Sequence, residues 1–98
     1  MTVSEIVTRI ASTANAVKAE GATALYIYGS RARGTGREDS DLDVFVDYEP
    51  GSGFSLMHLA GIKLALEDTL GIDVSVTTRN SLHPMMKESI EREAVRVF

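Results

Sequence analysis

The residues best equipped for chemistry are Gly29-Ser30 and, after ten intervening positions, Asp41 and Asp43. Gly29 ends an apolar run, so the backbone can turn sharply there and approach a ligand without a Cβ in the way. A helix beginning at Ser30 would aim its free N–H groups at a phosphate, and the Ser30 hydroxyl adds a donor at the same place. Asp41 and Asp43 stand two apart on an extended segment, so both carboxylates point to one face, roughly 6.6 Å apart. That separation suits hard divalent cations, and Mg²⁺ characteristically combines one or two carboxylates with substrate phosphates. A phosphate cradle beside a carboxylate pair describes metal-assisted phosphoryl chemistry on a nucleotide. A third acid is expected if two metals are held. Asp73 would lie next to Asp43 if its strand pairs beside the acidic one, placed to help hold a metal and to accept a proton from an attacking hydroxyl.

These residues need a scaffold of short alternating elements. Val3, Ile6, Val7, Ile10, Ala14 and Val17 carry helical spacing over residues 3–20, with Thr2 and Glu5 as a capping box and Gly21 as the stop. Residues 23–28 form an apolar, β-branched and aromatic strand that delivers Gly29. Residues 42–48 form a second strand with Leu42, Val44 and Val46 on one face and Asp43, Phe45 and Asp47 on the other. Pro50-Gly51-Ser52-Gly53 breaks the chain. A helix follows over 54–70, a third strand over 72–77, a turn at Leu82-His83-Pro84 and a closing helix from Met86 to Val97. The order α-β-(α)-β-α-β-α predicts an α+β layered fold, a small mixed β-sheet with helices packed on it, as one domain over 1–98.

Composition narrows the function. The 98 residues hold 10 Lys+Arg against 14 Asp+Glu, for a net charge of −4, with no cysteine and two histidines. Disulfide frameworks, thiolate zinc sites and cysteine nucleophiles are excluded together, so any metal must be held by oxygen. The acidic balance argues against a surface that grips DNA or RNA through its phosphates. Its distribution is uneven. Residues 29–37 carry Arg31, Arg33 and Arg37 with no acid, whereas residues 38–49 carry six acids with no base. The longest apolar run, Ala24 to Tyr28, is far shorter than the ~18 residues of a membrane span, which gives a cytoplasmic expectation.

Competing motifs fail on particular residues. Asp39-x-Asp41-x-Asp43 imitates an EF-hand opening, but Val44 stands where glycine is required and Pro50 where the closing glutamate belongs. Gly34-x-Gly36 lacks the third glycine of a dinucleotide fingerprint, no Gly-Lys-Ser/Thr marks a P-loop, and Tyr28 and Ala32 deny Ser30 a nucleophile elbow. Arg33 is a candidate phosphate contact, while Arg31 and Arg37 read as solvated or partner-facing. His58 and His83 read as structural, Tyr26, Tyr28 and Tyr48 as packing residues, and Met85 and Met86 as core or partner contacts.

Gly29-Ser30-Arg31-Ala32-Arg33-Gly34 followed by Ser40-Asp41-Leu42-Asp43 resembles the signature of the polymerase-β-like nucleotidyltransferase superfamily, and within it the minimal nucleotidyltransferases of prokaryotes. The resemblance extends along most of the chain, through Ile72-Asp73-Val74 to Leu82-His83-Pro84 and the last helix. It implies that Gly29, Ser30 and Arg33 bind the triphosphate of ATP, that Asp41 and Asp43 hold two Mg²⁺ ions, and that Asp73 supports the nucleophile. It also implies a HEPN-domain toxin as partner, silenced by transfer of AMP to a tyrosine hydroxyl. Two alternatives are a binding antitoxin that acts without catalysis and a transferase for a small acceptor such as an aminoglycoside. The second has little chain left to enclose its acceptor.

Overall fold

The capping box at Thr2 forms: the Glu5 amide donates to Thr2 Oγ1 at 3.2 Å and the Thr2 amide donates to Glu5 Oε1 at 3.3 Å. The computed structural model describes residues 1–37 and 41–98; Asp39 and Ser40, which entered the motif comparisons, lie outside the described residues. Helix α1 (Val3–Ala11) stops before the expected residue 20. The Ser12 and Thr13 hydroxyls donate to the carbonyls of Arg9 and Ile10 at 2.6 and 2.7 Å, competing with the helical ladder, and α2 (Ala14–Ala19) resumes beyond the break.

Strands β1 (Ala22–Tyr28), β2 (Leu42–Tyr48), β3 (Val74–Thr78) and β4 (Val95–Arg96) form one sheet in the order β3-β2-β1-β4. β1 runs antiparallel to both β2 and β4, and β2 runs parallel to β3, so the sheet is mixed and the layered α+β expectation holds. A one-turn helix α3 (Ser30–Arg33) follows β1. Helix α4 (Leu56–Leu70) makes the crossover that a parallel pair requires, and α5 (Pro84–Glu93) precedes β4.

Alternation on β2 sorts the two faces as expected. Leu42, Val44 and Val46 are fully buried against Leu25 and Ile27 of β1 and against Ile6, Ile10, Val17, Ile62 and Leu66 from α1, α2 and α4. Each such side chain contributes about 1.5–3 kcal/mol through burial. Tyr26, Tyr28, Asp43, Phe45 and Asp47 occupy the opposite face. Phe45 is buried there too, stacked on Tyr26 at 4.8 Å and 13°, with the Arg79 guanidinium 4.9 Å from its ring centre. Arg79 is held in place by two bonds to Asp47, at 2.8 and 3.0 Å, and one to Glu91 at 2.6 Å.

The closing helix is corrected: it spans Pro84–Glu93, and Ala94 turns extended. β-branched Val95 then pairs with Ile27, and the Val97 amide donates to the Leu25 carbonyl while the Leu25 amide donates to the Phe98 carbonyl, covering an apolar strand edge that would otherwise be open. Met85 and Met86 are 88% and 57% exposed, so neither fills the core. Both histidines cap helices, with His58 Nδ1 accepting from the Ser55 amide and His83 Nδ1 from the Met85 amide. Among the described residues, no helix is long and apolar enough to cross a membrane.

Candidate active site

Gly29 adopts φ 77° and ψ −158°, a region that only glycine occupies at low cost. A Cβ there would stand 2.7 Å from Asp43 Oδ2, because the antiparallel register sets Tyr28 directly opposite Asp43. The Asp43 carboxylate thus rests against the bare Gly29 backbone. Beyond it the chain curls back: the Ser30 carbonyl accepts from the amides of Thr35 and Gly36 at 3.0 and 3.1 Å. A Cβ on Gly36 would crowd Ser30 Oγ at 2.9 Å and Arg31 Cδ at 3.3 Å. Arg31 is only 4% exposed, which corrects its reading as a solvated or partner-facing charge: the returning Gly36 packs over its stem.

Gly29, Ser30, Arg33, Asp43 and Tyr28 form one wall of a hollow of about 400 Å³. The other wall is α5, through Met86, Ser89, Ile90 and Glu93. Sequence reading missed this second wall. The signal was present in the four-residue spacing of Met86 and Ile90, since Glu93 follows on the same helical face. Arg33 Nη1 contacts Glu93 Oε2 at 3.2 Å, joining the two walls.

Burial, and secondarily the charge of Asp41, pushes the Asp43 carboxyl above its ordinary range. Tyr28 is pushed up in turn by burial and by the charge of Asp43. Asp41 itself is exposed, immediately before β2. Asp73 is not set beside Asp43. Parallel pairing aligns Leu42 with Val74 and Asp43 with Ser75, so Asp73 falls one residue earlier, level with Asp41 and not beside Asp43 as expected; the Leu42 amide donates to the Asp73 carbonyl at 3.0 Å. The register is anchored from α4: Glu67 accepts from the Val74 amide at 3.0 Å, and Lys63 donates to the Val74 carbonyl at 2.6 Å. Asp73 lines a separate hollow with Glu67, Gly71 and Ile72. Among the described residues, no three His, Cys, Asp or Glu side chains are grouped so as to hold a metal.

The donor set at Asp41 and Asp43 still fits a hard cation. The charge of Asp41 raises the cost of ionising Asp43, and a positive ion between the two carboxylates would offset it.

This fold, with a Gly-Ser turn under a carboxylate, defines a nucleotidyltransferase. A sequence profile of the nucleotidyltransferase domain matches residues 10–97, and the chain belongs to that family of transferases. Among its relatives is MJ0435 of Methanocaldococcus jannaschii, provisionally named a protein adenylyltransferase. It is 46% identical over 72 residues, covering 74% of this chain and 75% of its own. A solved structure provisionally described as a minimal nucleotidyltransferase superposes with a TM-score of 0.82 at 37% identity, covering 97% of this chain and 95% of that one. A toxin–antitoxin structure with AMP-PNP superposes with a TM-score of 0.69 over 90% of this chain and 72% of that one; at 15% identity the likeness is one of fold.

Proposed function

We propose that this chain transfers AMP from ATP to a hydroxyl of a partner protein, a tyrosine of a HEPN-domain toxin, and acts in the cytoplasm as that toxin's antitoxin. The observation that carries the reading is the Asp43 carboxylate set against Gly29 in a hollow shared with Ser30 and Arg33. The name given to MJ0435 supports protein as the acceptor, and the shared fold of the toxin–antitoxin structure agrees with the partner class.

The reaction is an in-line displacement. The acceptor hydroxyl gives up its proton to water as its oxygen bonds to the α-phosphorus, the bond to the bridging oxygen breaks, and pyrophosphate leaves. The missing Cβ of Gly29 lets phosphate approach the backbone, while the Ser30 hydroxyl and Arg33 guanidinium donate to phosphate oxygens. Asp41 and Asp43 are the residues that would hold Mg²⁺, as two ions in the family's arrangement; bound there, the metal supplies charge neutralisation of the triphosphate. Asp73, in its own hollow, has no ligand role in this reading. The open hollow leaves the acceptor to be presented by another protein. Asp41→Asn with Asp43→Asn should abolish label transfer from α-labelled ATP to the co-purified partner while the fold is retained. Undiminished transfer overturns the proposal.

A further inference from the structure

Arg79 and Arg33 both tie α5 to the rest of the molecule, and they do so differently. Arg79 is gripped by both oxygens of Asp47 and by Glu91, and it stacks on Tyr26 and Phe45. Among the described residues, Arg33 makes one carboxylate contact, a single Nη1–Oε2 approach of 3.2 Å to Glu93, with both side chains about half exposed at 48% and 43%. A lone, exposed, one-point pair is weak and readily exchanged, whereas a bidentate stacked pair is not. The weak pair is also the one inside the hollow of Gly29, Ser30 and Asp43.

We propose that Glu93 is a stand-in for phosphate: it holds the Arg33 guanidinium in the empty protein and yields it to the polyphosphate of an incoming nucleotide. The inference rests on the nucleotide-transfer reading above. A guanidinium fork recognises carboxylate and phosphate through the same N–H geometry, so a phosphate oxygen can replace Glu93 Oε2 without redesign of the arginine. The polyphosphate carries more charge than one carboxylate and wins the exchange. Glu93 nevertheless lowers nucleotide affinity, because its own pairing must first be broken. The Arg79–Glu91 pair and the β4 strand are untouched by the exchange, so α5 stays docked while Arg33 changes partner.

The test is calorimetric titration of ATP with Mg²⁺ into the wild-type chain, Glu93→Gln, Arg33→Gln and the double variant. Glu93→Gln should tighten ATP binding by up to about fivefold, the equivalent of about 1 kcal/mol. Arg33→Gln should weaken it, and the gain from Glu93→Gln should vanish in the Arg33→Gln background. The Arg33 Nε–H resonance should also shift on adding ATP to the wild type. An equal gain in both backgrounds would mean that Glu93 acts by simple repulsion, and this overturns the exchange. Lowered thermal stability with unchanged ATP affinity in Glu93→Gln would make the pair a structural clip and overturns it equally. A wild-type chain that binds no ATP defeats the nucleotide reading itself, which is a different outcome from either.

Discussion

Replacing Gly29 by alanine combines two penalties that can be separated. Its φ of 77° and ψ of −158° lie where a side chain costs on the order of 1–3 kcal/mol. The new methyl carbon would also meet Asp43 Oδ2 at 2.7 Å, against about 3.3–3.6 Å for a tolerable C···O contact, so the carboxylate must retreat by about 0.6 Å or more. Gly34 provides the control, because its φ of 75° is left-handed but a Cβ there meets nothing within 4 Å. Gly34→Ala should cost only conformational strain, roughly 1–2 kcal/mol, and leave ATP binding intact. Gly29→Ala should lower the unfolding midpoint by about 4–24 °C, for a domain in which 1 kcal/mol moves it by about 4–8 °C. ATP binding should be lost with it. Adding Asp43→Ala to Gly29→Ala removes the collision and should recover part of the thermal loss, but none of the binding. Circular dichroism and calorimetry read the two quantities. If Gly29→Ala is no worse than Gly34→Ala on both, and Asp43→Ala recovers nothing, the contact between this backbone and this carboxylate does not constrain the site.

Three further outcomes follow from the geometry. Ser75→Asp places a third carboxylate on the strand beside Asp43, about 4.8 Å away, and should tighten Mn²⁺ binding on the order of tenfold by electron paramagnetic resonance, whereas Asp73→Asn should leave it unchanged; the reverse pattern would refute the register argument. The Glu67 carboxyl is held below its ordinary 4.5 by Lys63 and by the Val74 amide, so its stabilisation is complete above that pH and is lost as pH falls through the lowered value. Stability of the wild type and Glu67→Gln should therefore converge in acid, and a gap that stays constant as the pH is lowered would count against this. Arg79→Lys keeps the charge but loses the fork and the stacking, and should cost about 2 kcal/mol, seen as a midpoint lowered by roughly 8–16 °C; no change would mean that the Asp47 pair is inert.

Local chemistry was legible in the sequence where neighbours in the chain decide it. The alternation of Leu42 to Asp47 sorted core from site face because a strand has period two, and Gly29 marked a turn that other residues enter only with strain. Position 73 was not legible. Whether Asp73 or Ser75 faces Asp43 depends on a parallel register pinned by Lys63 and Glu67, residues on a helix that no local pattern connects to Val74. The end of α5 was obscured for a similar reason. Met86, Ile90 and Ala94 keep helical spacing through Ala94, and only the open edge of β1, far away in sequence, draws Val95 and Arg96 into a strand. The break at Ser12-Thr13 was readable in principle from two adjacent hydroxyl side chains.

The packing of the tyrosines has an optical consequence. The chain has no tryptophan and three tyrosines, so its near-ultraviolet signal belongs to Tyr26, Tyr28 and Tyr48. Tyr26 lies flat on Phe45 and Tyr48 flat on Phe54, at 13° and 9°, each in a setting that a ligand in the Gly29 hollow does not enter. Tyr28 alone of the three borders that hollow. The molecule therefore carries its own spectroscopic probe at the site: Tyr28→Phe should silence the emission change on ligand addition, while the other two rings supply a constant background against which it is read.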